Sequence, residues 1–353
     1  MYAMEDRNEF CPSVESNLQI SEDPEELVEV LCDEDKQPTE MEDRLEFLAP
    51  RPGGGCALGC SGMTGRCWSG SVWLYDDALK APDIAASQAS YQLQAGVPCA
   101  TFVSRDVLAV AEDGGYVEWL SCSAEPSRLV SIAASCSHSD TVTSMALTCD
   151  GQKLCTAGAD YSICLTDCST QQHDTLYSPA HAQECLSVST HPTEKAIFVS
   201  CSLDGNVLLW DTRKKEPASC VYRNVQCPVT SVSWLADKSS TGAALEQLLL
   251  GTIDGQLMVH STRHYSHEPT PNRILNTRIN KFVASPNNPN VVAVCADDET
   301  IRVVKISNDF VITPWYSSDA KHSDFVRDVM WLDSSSFLSC AWDKQVAKHT
   351  LPS

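Results

Sequence analysis

The sequence predicts an all-β fold: a closed, seven-bladed propeller behind an acidic, disordered N-terminal tail. Three observations predict it. A ten-residue signature recurs seven times along the chain. The interval between copies stays between 44 and 50 residues. The net charge of −22 is placed unevenly, with −13 of it in residues 1–46. A short motif repeating every ~40–45 residues means one four-stranded blade per repeat, since such a unit buries its faces only against its neighbours.

The best copy is Ser202-Leu203-Asp204-Gly205-Asn206-Val207-Leu208-Leu209-Trp210-Asp211. A small residue, an Asp-Gly turn, an alternating apolar strand and Trp-Asp make up the WD-repeat pattern. Aligned on Trp210, the other copies place Tyr75, Leu120, Thr166, His260, Val304 and His349 in that slot. Six positions earlier stand Asp160, Asp204, Asp254, Asp298 and Asp343, with Gly114 in the second copy. Asp-Gly and its relatives supply the positive φ of a tight hairpin. The first copy departs: Gly62 to Gly70 reads as a longer, irregular loop. His138, His181 and His322 precede their Asp by 22, 23 and 21 residues. In the WD pattern a His, a strand hydroxyl, the turn Asp and the Trp form one buried chain of hydrogen bonds. Only the fourth copy has His181, Asp204 and Trp210 all in place.

Element by element, residues 1–26 lack apolar periodicity and are rich in Glu, Asp, Ser and Pro, which predicts a disordered tail. Residues 27–353 form the propeller. Leu27 to Leu31 is a short strand-like run, and Leu45 to Ala49 opens the first blade. Blades two to six are expected at 97–133, 141–178, 184–221, 228–276 and 279–316. The last shows strands near 325–330, 336–340 and 345–350 and lacks a fourth. A ring must close to hide its sheet edges, so 27–31 is the candidate closing strand. The insertion Asp237 to Leu245 and the segment Arg263 to Arg273, with His264 and His267, read as surface loops.

Charge and cysteine usage exclude several classes. Phosphate backbones and anionic membrane surfaces both need clustered Lys and Arg, so neither nucleic acid nor membrane is an expected partner. A basic partner fits the acidic tail, as does plain solubility. The 18 cysteines fall singly on predicted strands, as at Cys155, Cys164, Cys201, Cys295 and Cys340. There they act as small core residues. No Cys-x-x-Cys spacing occurs, and Cys56, Cys60 and Cys67 lack a fourth ligand at a standard spacing, so no metal is expected. With no apolar signal core and no long apolar run, an intracellular, reducing setting is predicted.

No catalytic constellation stands out, so the chain is expected not to be an enzyme and to need no cofactor. His181, Asp204 and a strand Ser could be drawn as a triad, but the WD pattern already accounts for them. The remaining candidates are surface features. Gly65 to Gly70 sets Arg66 and Trp68, types enriched in interface hot spots, on the first-blade loop. Trp68 either anchors a partner or folds back on its own blade. His322 to Asp328 opens the last blade, which neighbours the first in a closed ring.

Gly65-Arg66-Cys67-Trp68-Ser69-Gly70-Ser71-Val72-Trp73-Leu74 resembles the first-blade signature of the methylosome WD-repeat proteins. Leu208 to Arg213, Asp324-Phe325-Val326-Arg327-Asp328 and Trp342 to Val346 are similar to that family in order and position. The acidic residues 1–40 are not similar to it. The resemblance implies a non-catalytic scaffold bound to a type II protein arginine methyltransferase, in a hetero-octamer with four copies of each. It implies presentation of Arg-rich substrates such as Sm proteins and histones, in cytoplasm and nucleus. S-adenosylmethionine would belong to the partner. Carried over by position, Arg66, Trp68 and Phe325 are the partner-binding candidates. Trp210-Asp211-Thr212-Arg213 also fits, once, the Trp-Asp-x-Arg box of substrate receptors for cullin-based ubiquitin ligases.

Overall fold

In a computed structural model the protein is described over residues 37–64, 67–123, 128–235, 247–262, 269–307 and 309–352. The tail 1–26, the candidate closing strand 27–31, Arg66, the insertion 237–245, His264 and His267 lie outside them.

Seven antiparallel sheets follow one another along the chain, spanning 44–93, 100–136, 142–177, 185–223, 229–273, 279–318 and 326–350. Each is a simple meander, with strands hydrogen-bonded in sequence order. The first strand of each sheet packs beside the first strand of the next, and Arg44–Pro50 packs beside Val326–Trp331. That last contact closes the ring. The first strands therefore line the axis, and the aligned slot falls on the third strand of each blade.

Six sheets have four strands, and the last has three among the described residues: Val326–Trp331, Ser336–Ala341 and Val346–Thr350. The blade edges agree with the sequence expectation within a few residues. Blade two runs on to Cys136, because its outer strand Arg128–Cys136 continues pairing with Tyr116–Ser123. In blade five the outer strand shrinks to Asn272–Arg273.

The first-blade expectation needs correcting. Instead of an irregular loop, Cys56–Thr64 and Cys67–Tyr75 form one unbroken ladder out to Thr64 opposite Cys67. Strands of nine residues each can pair along their full length. Trp68 is thus a strand residue opposite Met63.

The turn chemistry repeats as read. Five positions before the aligned slot, Gly115, Gly205 and Gly255 have φ near +85°, +82° and +82°. A Cβ on Gly205 would sit 2.7 Å from the Asn224 carbonyl oxygen, so the turn lies against the chain leading to the next blade. Tyr161 and Lys344 take the same left-handed conformation without the glycine, at φ +70° and +63°.

The core lies between blades. Phe47, Val72 and Leu74 of blade one pack with Leu108, Val110 and Leu120 of blade two. Leu45, Leu58 and Trp73 pack with Met330, Leu338 and Cys340 of blade seven. Each such side chain contributes ~1.5–3 kcal/mol on burial, and no blade can collect that term alone. Cys155, Cys164, Cys201, Cys295 and Cys340 are all buried on strands and unpaired. Burial pushes the Cys164 thiol up to about 11 and that of Cys295 to about 12, which keeps them as inert thiols.

Candidate functional site

The predicted His–Asp chains form in three blades. His181 Nδ1 lies 3.0 Å from Asp204, its Nε2 lies 2.7 Å from Ser200 Oγ, and the Trp210 indole donates to the same oxygen at 2.8 Å. In blade three His138 reaches Asp160 at 3.0 Å and Thr156 at 2.9 Å. In blade seven His322 reaches Asp343 at 3.0 Å and Ser339 at 2.7 Å. There His349 stands in for the tryptophan, with Nε2 at 2.8 Å from Ser339 and its ring stacked on Phe337 at 4.6 Å. Degenerate sequence at the slot therefore does not mean a lost network. In blade five Cys227 replaces the histidine, its thiol donating to Asp254 at 2.9 Å.

These chains are structural. His181 and Ser200 are buried, and the Ser200 oxygen is already taken by the Trp210 indole. Burial lowers the His181 and His138 values, although Asp204 and Asp160 pull the other way. The three residues His181, Asp204 and Trp210 thus meet as expected, with no route for a substrate to the hydroxyl. Among the described residues no group of three His, Cys, Asp or Glu side chains could hold a metal ion.

His349 makes one pH prediction. Burial first, then the charges of Lys321 and His322, lower it to about 3. Unfolded histidine titrates near ~6.5. On acidification the unfolded chain therefore binds the proton first, and stability falls from about pH 6.5 downward. Above that range the term is flat. His349→Phe keeps the stack on Phe337 and removes the titration. Denaturant midpoints at a series of pH values should show a shallower acid slope in the variant. Equal slopes would mean that His349 titrates alike in both states.

Where the last blade meets the first, the structure builds a cluster of cations and aromatic rings. The Arg44 guanidinium lies over Trp68 at 5.2 Å and over Trp342 at 4.6 Å. Arg327 lies 5.1 Å from the Trp342 centroid, and Phe325 packs on Trp342 at 5.5 Å. Trp68 and Phe325, separated by most of the chain, are thereby joined through Arg44 and Trp342. Both stay 40% exposed, so Trp68 does not fold back into its own blade.

Glu46 anchors this cluster from below. It accepts from the Trp342 indole at 3.1 Å and from Arg327 at 3.2 Å. Burial raises the Glu46 carboxyl, against the pull of Arg327 and the indole. Arg327 also reaches Asp297 at 3.4 Å. Each contact of a guanidinium with a Trp68 or Trp342 ring is worth ~0.5–1 kcal/mol where exposed and more where dry. Sequence reading found Trp68 and Phe325 but passed over Arg44 and Trp342 as members of the site. The usable signal was the Trp342-Asp343 pair, in which the Trp stands at the blade's turn instead of in the aligned strand slot.

The cluster borders the axial channel, a cavity of about 590 Å³ lined by Arg44, Glu46, Trp68, Arg327 and Trp342 and by the first strands of the other blades. Asp328 closes its wall. Its carboxylate accepts from the Leu48 backbone N–H at 3.0 Å and pairs with Lys281 at 2.7 Å, linking blades one, six and seven.

A closed ring of seven meander sheets with turn Asp, buried His and strand hydroxyl defines a WD-repeat β-propeller, and the WD domain, G-beta repeat family matches residues 130–167 and 172–211. The chain belongs to the family of methylosome WD-repeat proteins. It is 31% identical to the methylosome protein WDR77 of Xenopus laevis over 322 residues, 90% of this chain and 92% of that one. A guanine nucleotide-binding protein subunit beta of Oryza sativa subsp. japonica is 27% identical over 34% of this chain and 32% of its own length. A chain of the COPII outer coat vertex on membranes superposes with a TM-score of 0.71 at 13% identity, over 89% of this chain and 86% of that one, a likeness of fold alone.

Proposed function

We propose that this chain is the non-catalytic scaffold of a methylosome. It binds a type II protein arginine methyltransferase through Arg66, Trp68 and Phe325, and presents Arg-rich substrates such as Sm proteins and histones. Four copies of each subunit make the assembly. The observation that carries this reading is the exposed cluster of Trp68, Arg44, Trp342, Arg327 and Phe325. Large rings with few rotamers, backed by guanidinium groups already held in place, are what interface hot spots are built from. Family membership points the cluster toward a methyltransferase.

Two observations fit a scaffold without chemistry of its own. The His181, Asp204 and Ser200 trio is sealed by Trp210. The cullin-receptor box rests on one copy at 210–213, where Arg213 is turned back on Asp211 by two bonds at 2.7 Å. Affinity purification of the native protein tests the assignment. A co-purifying arginine methyltransferase, with no methyl transfer by the propeller alone, is the expected outcome. Recovery of a cullin and its adaptor without a methyltransferase would replace it.

A further inference from the structure

The axial cavity divides its charges unevenly. Its carboxylates, Glu46, Asp113 and Asp328, all lie on blades one, two and seven, where Arg44 and Arg327 stand among them. Blades three to six present hydroxyls, the Lys281 ammonium and the guanidinium of Arg278. Most of the charged groups answer one another: Lys281 pairs with Asp328 at 2.7 Å and Arg327 with Glu46 at 3.2 Å. Arg278 has no such partner. Its Nε is buried without a protein acceptor, and its guanidinium makes no ion pair among the described residues. Thr230 donates to the Ile279 carbonyl at 2.7 Å, which holds the start of this strand against blade five and beside the channel hydroxyls.

Those hydroxyls have protons to give. Ser144 Oγ accepts from the Val188 N–H at 3.3 Å and Ser187 Oγ from the Val232 N–H at 3.4 Å. Each oxygen is thereby used as an acceptor, and neither hydroxyl donates to a protein group among the described residues. Ser231 is buried on the same wall, and its hydroxyl makes no hydrogen bond to a protein group among the described residues. A chain of net charge −22 thus places an uncompensated cation and several spare donors together in a roomy polar cavity. Donors without a protein acceptor inside such a cavity are satisfied by water or by a ligand. Charge-assisted bonds to an oxyanion are the strongest that such donors can make.

We propose that the axial channel binds a small oxyanion of the phosphate class, with Arg278 as its charge partner and the Ser144, Ser187 and Ser231 hydroxyls as further donors. Asp113, on the opposite side of the ring, opposes it by like charge and limits its affinity.

The full chain is titrated with inorganic phosphate, and with acetate, at constant ionic strength balanced by chloride. Binding is read by calorimetry and by melting temperature. Phosphate should raise the melting temperature saturably and acetate should not. Arg278→Gln should weaken phosphate binding by about tenfold or more, the size expected for one charged hydrogen bond. Asp113→Asn should tighten it, and Arg302→Gln, whose guanidinium bonds Asp319 and Ser317 away from the channel, should leave it unchanged. If Arg278→Gln does not fold, Ser231→Ala and Asp113→Asn carry the test in opposite directions. An unsaturable rise, equal binding in Arg278→Gln, or acetate acting as well as phosphate overturns the proposal.

Discussion

Asp328→Ala is expected to lower unfolding stability by about 2–4 kcal/mol, since breaking a buried pair typically costs ~3–5 kcal/mol and Lys281 keeps some contact with channel solvent. The Asp328 side chain is 2% exposed and that of Lys281 is 45% exposed. Burial alone would lower the Lys281 ammonium, but Asp328 prevails and holds it above its ordinary value. Removing the carboxylate leaves that ammonium uncompensated and the Leu48 N–H without an acceptor at the joint that closes the ring. Asp328→Asn keeps the acceptor and should lose less. Adding Lys281→Met to Asp328→Ala should recover part of the loss, because the orphaned charge goes too. Denaturant unfolding followed by circular dichroism measures all three. A loss under about 1 kcal/mol for Asp328→Ala would show that the joint is held by packing alone.

Trp68→Ala is expected to weaken methyltransferase binding by about 30- to 1,000-fold, which corresponds to the ~2–4 kcal/mol of an aromatic anchor. Its melting temperature should stay near that of the parent. Trp68 is 40% exposed, lies under the Arg44 guanidinium and is paired along its strand with Met63. Phe325→Ala should act in the same direction. Binding by surface plasmon resonance, alongside a melting curve, separates two failures. A folded variant that binds as well as the parent removes the rim from the interface, whereas an unfolded one makes Trp68 part of the core.

What could be read from the chain follows from where the physics is local. A hairpin turn, a strand alternation and a buried His at a set distance from its Asp are decided within one blade, so they recur at a readable interval. That is why the seven blades, the His181, Asp204 and Trp210 network and the buried cysteines were legible. His349 shows the limit of such reading. A histidine in a tryptophan slot looked degenerate, yet it bonds Ser339 and stacks on Phe337. In this blade an imidazole fills the place of the indole, as a flat ring with a nitrogen on the serine oxygen.

The sequence by itself determined the blade count and the turn chemistry, because each depends on residues close together in the chain, while resemblance to a family singled out Trp68 and Phe325. Tertiary structure alone decided the rest. The long first-blade hairpin could not be foreseen, because ladder length depends on cross-strand pairing and not on turn composition. The Arg44 and Trp342 bridge, and the tie of Asp328 to Leu48 and Lys281, join the two ends of the described ring. Leu48 and Asp328 lie 280 residues apart in the chain, and Lys281 and Asp328 lie 47 apart. No local pattern encodes such a pairing; it exists only once seven sheets have turned through a full circle.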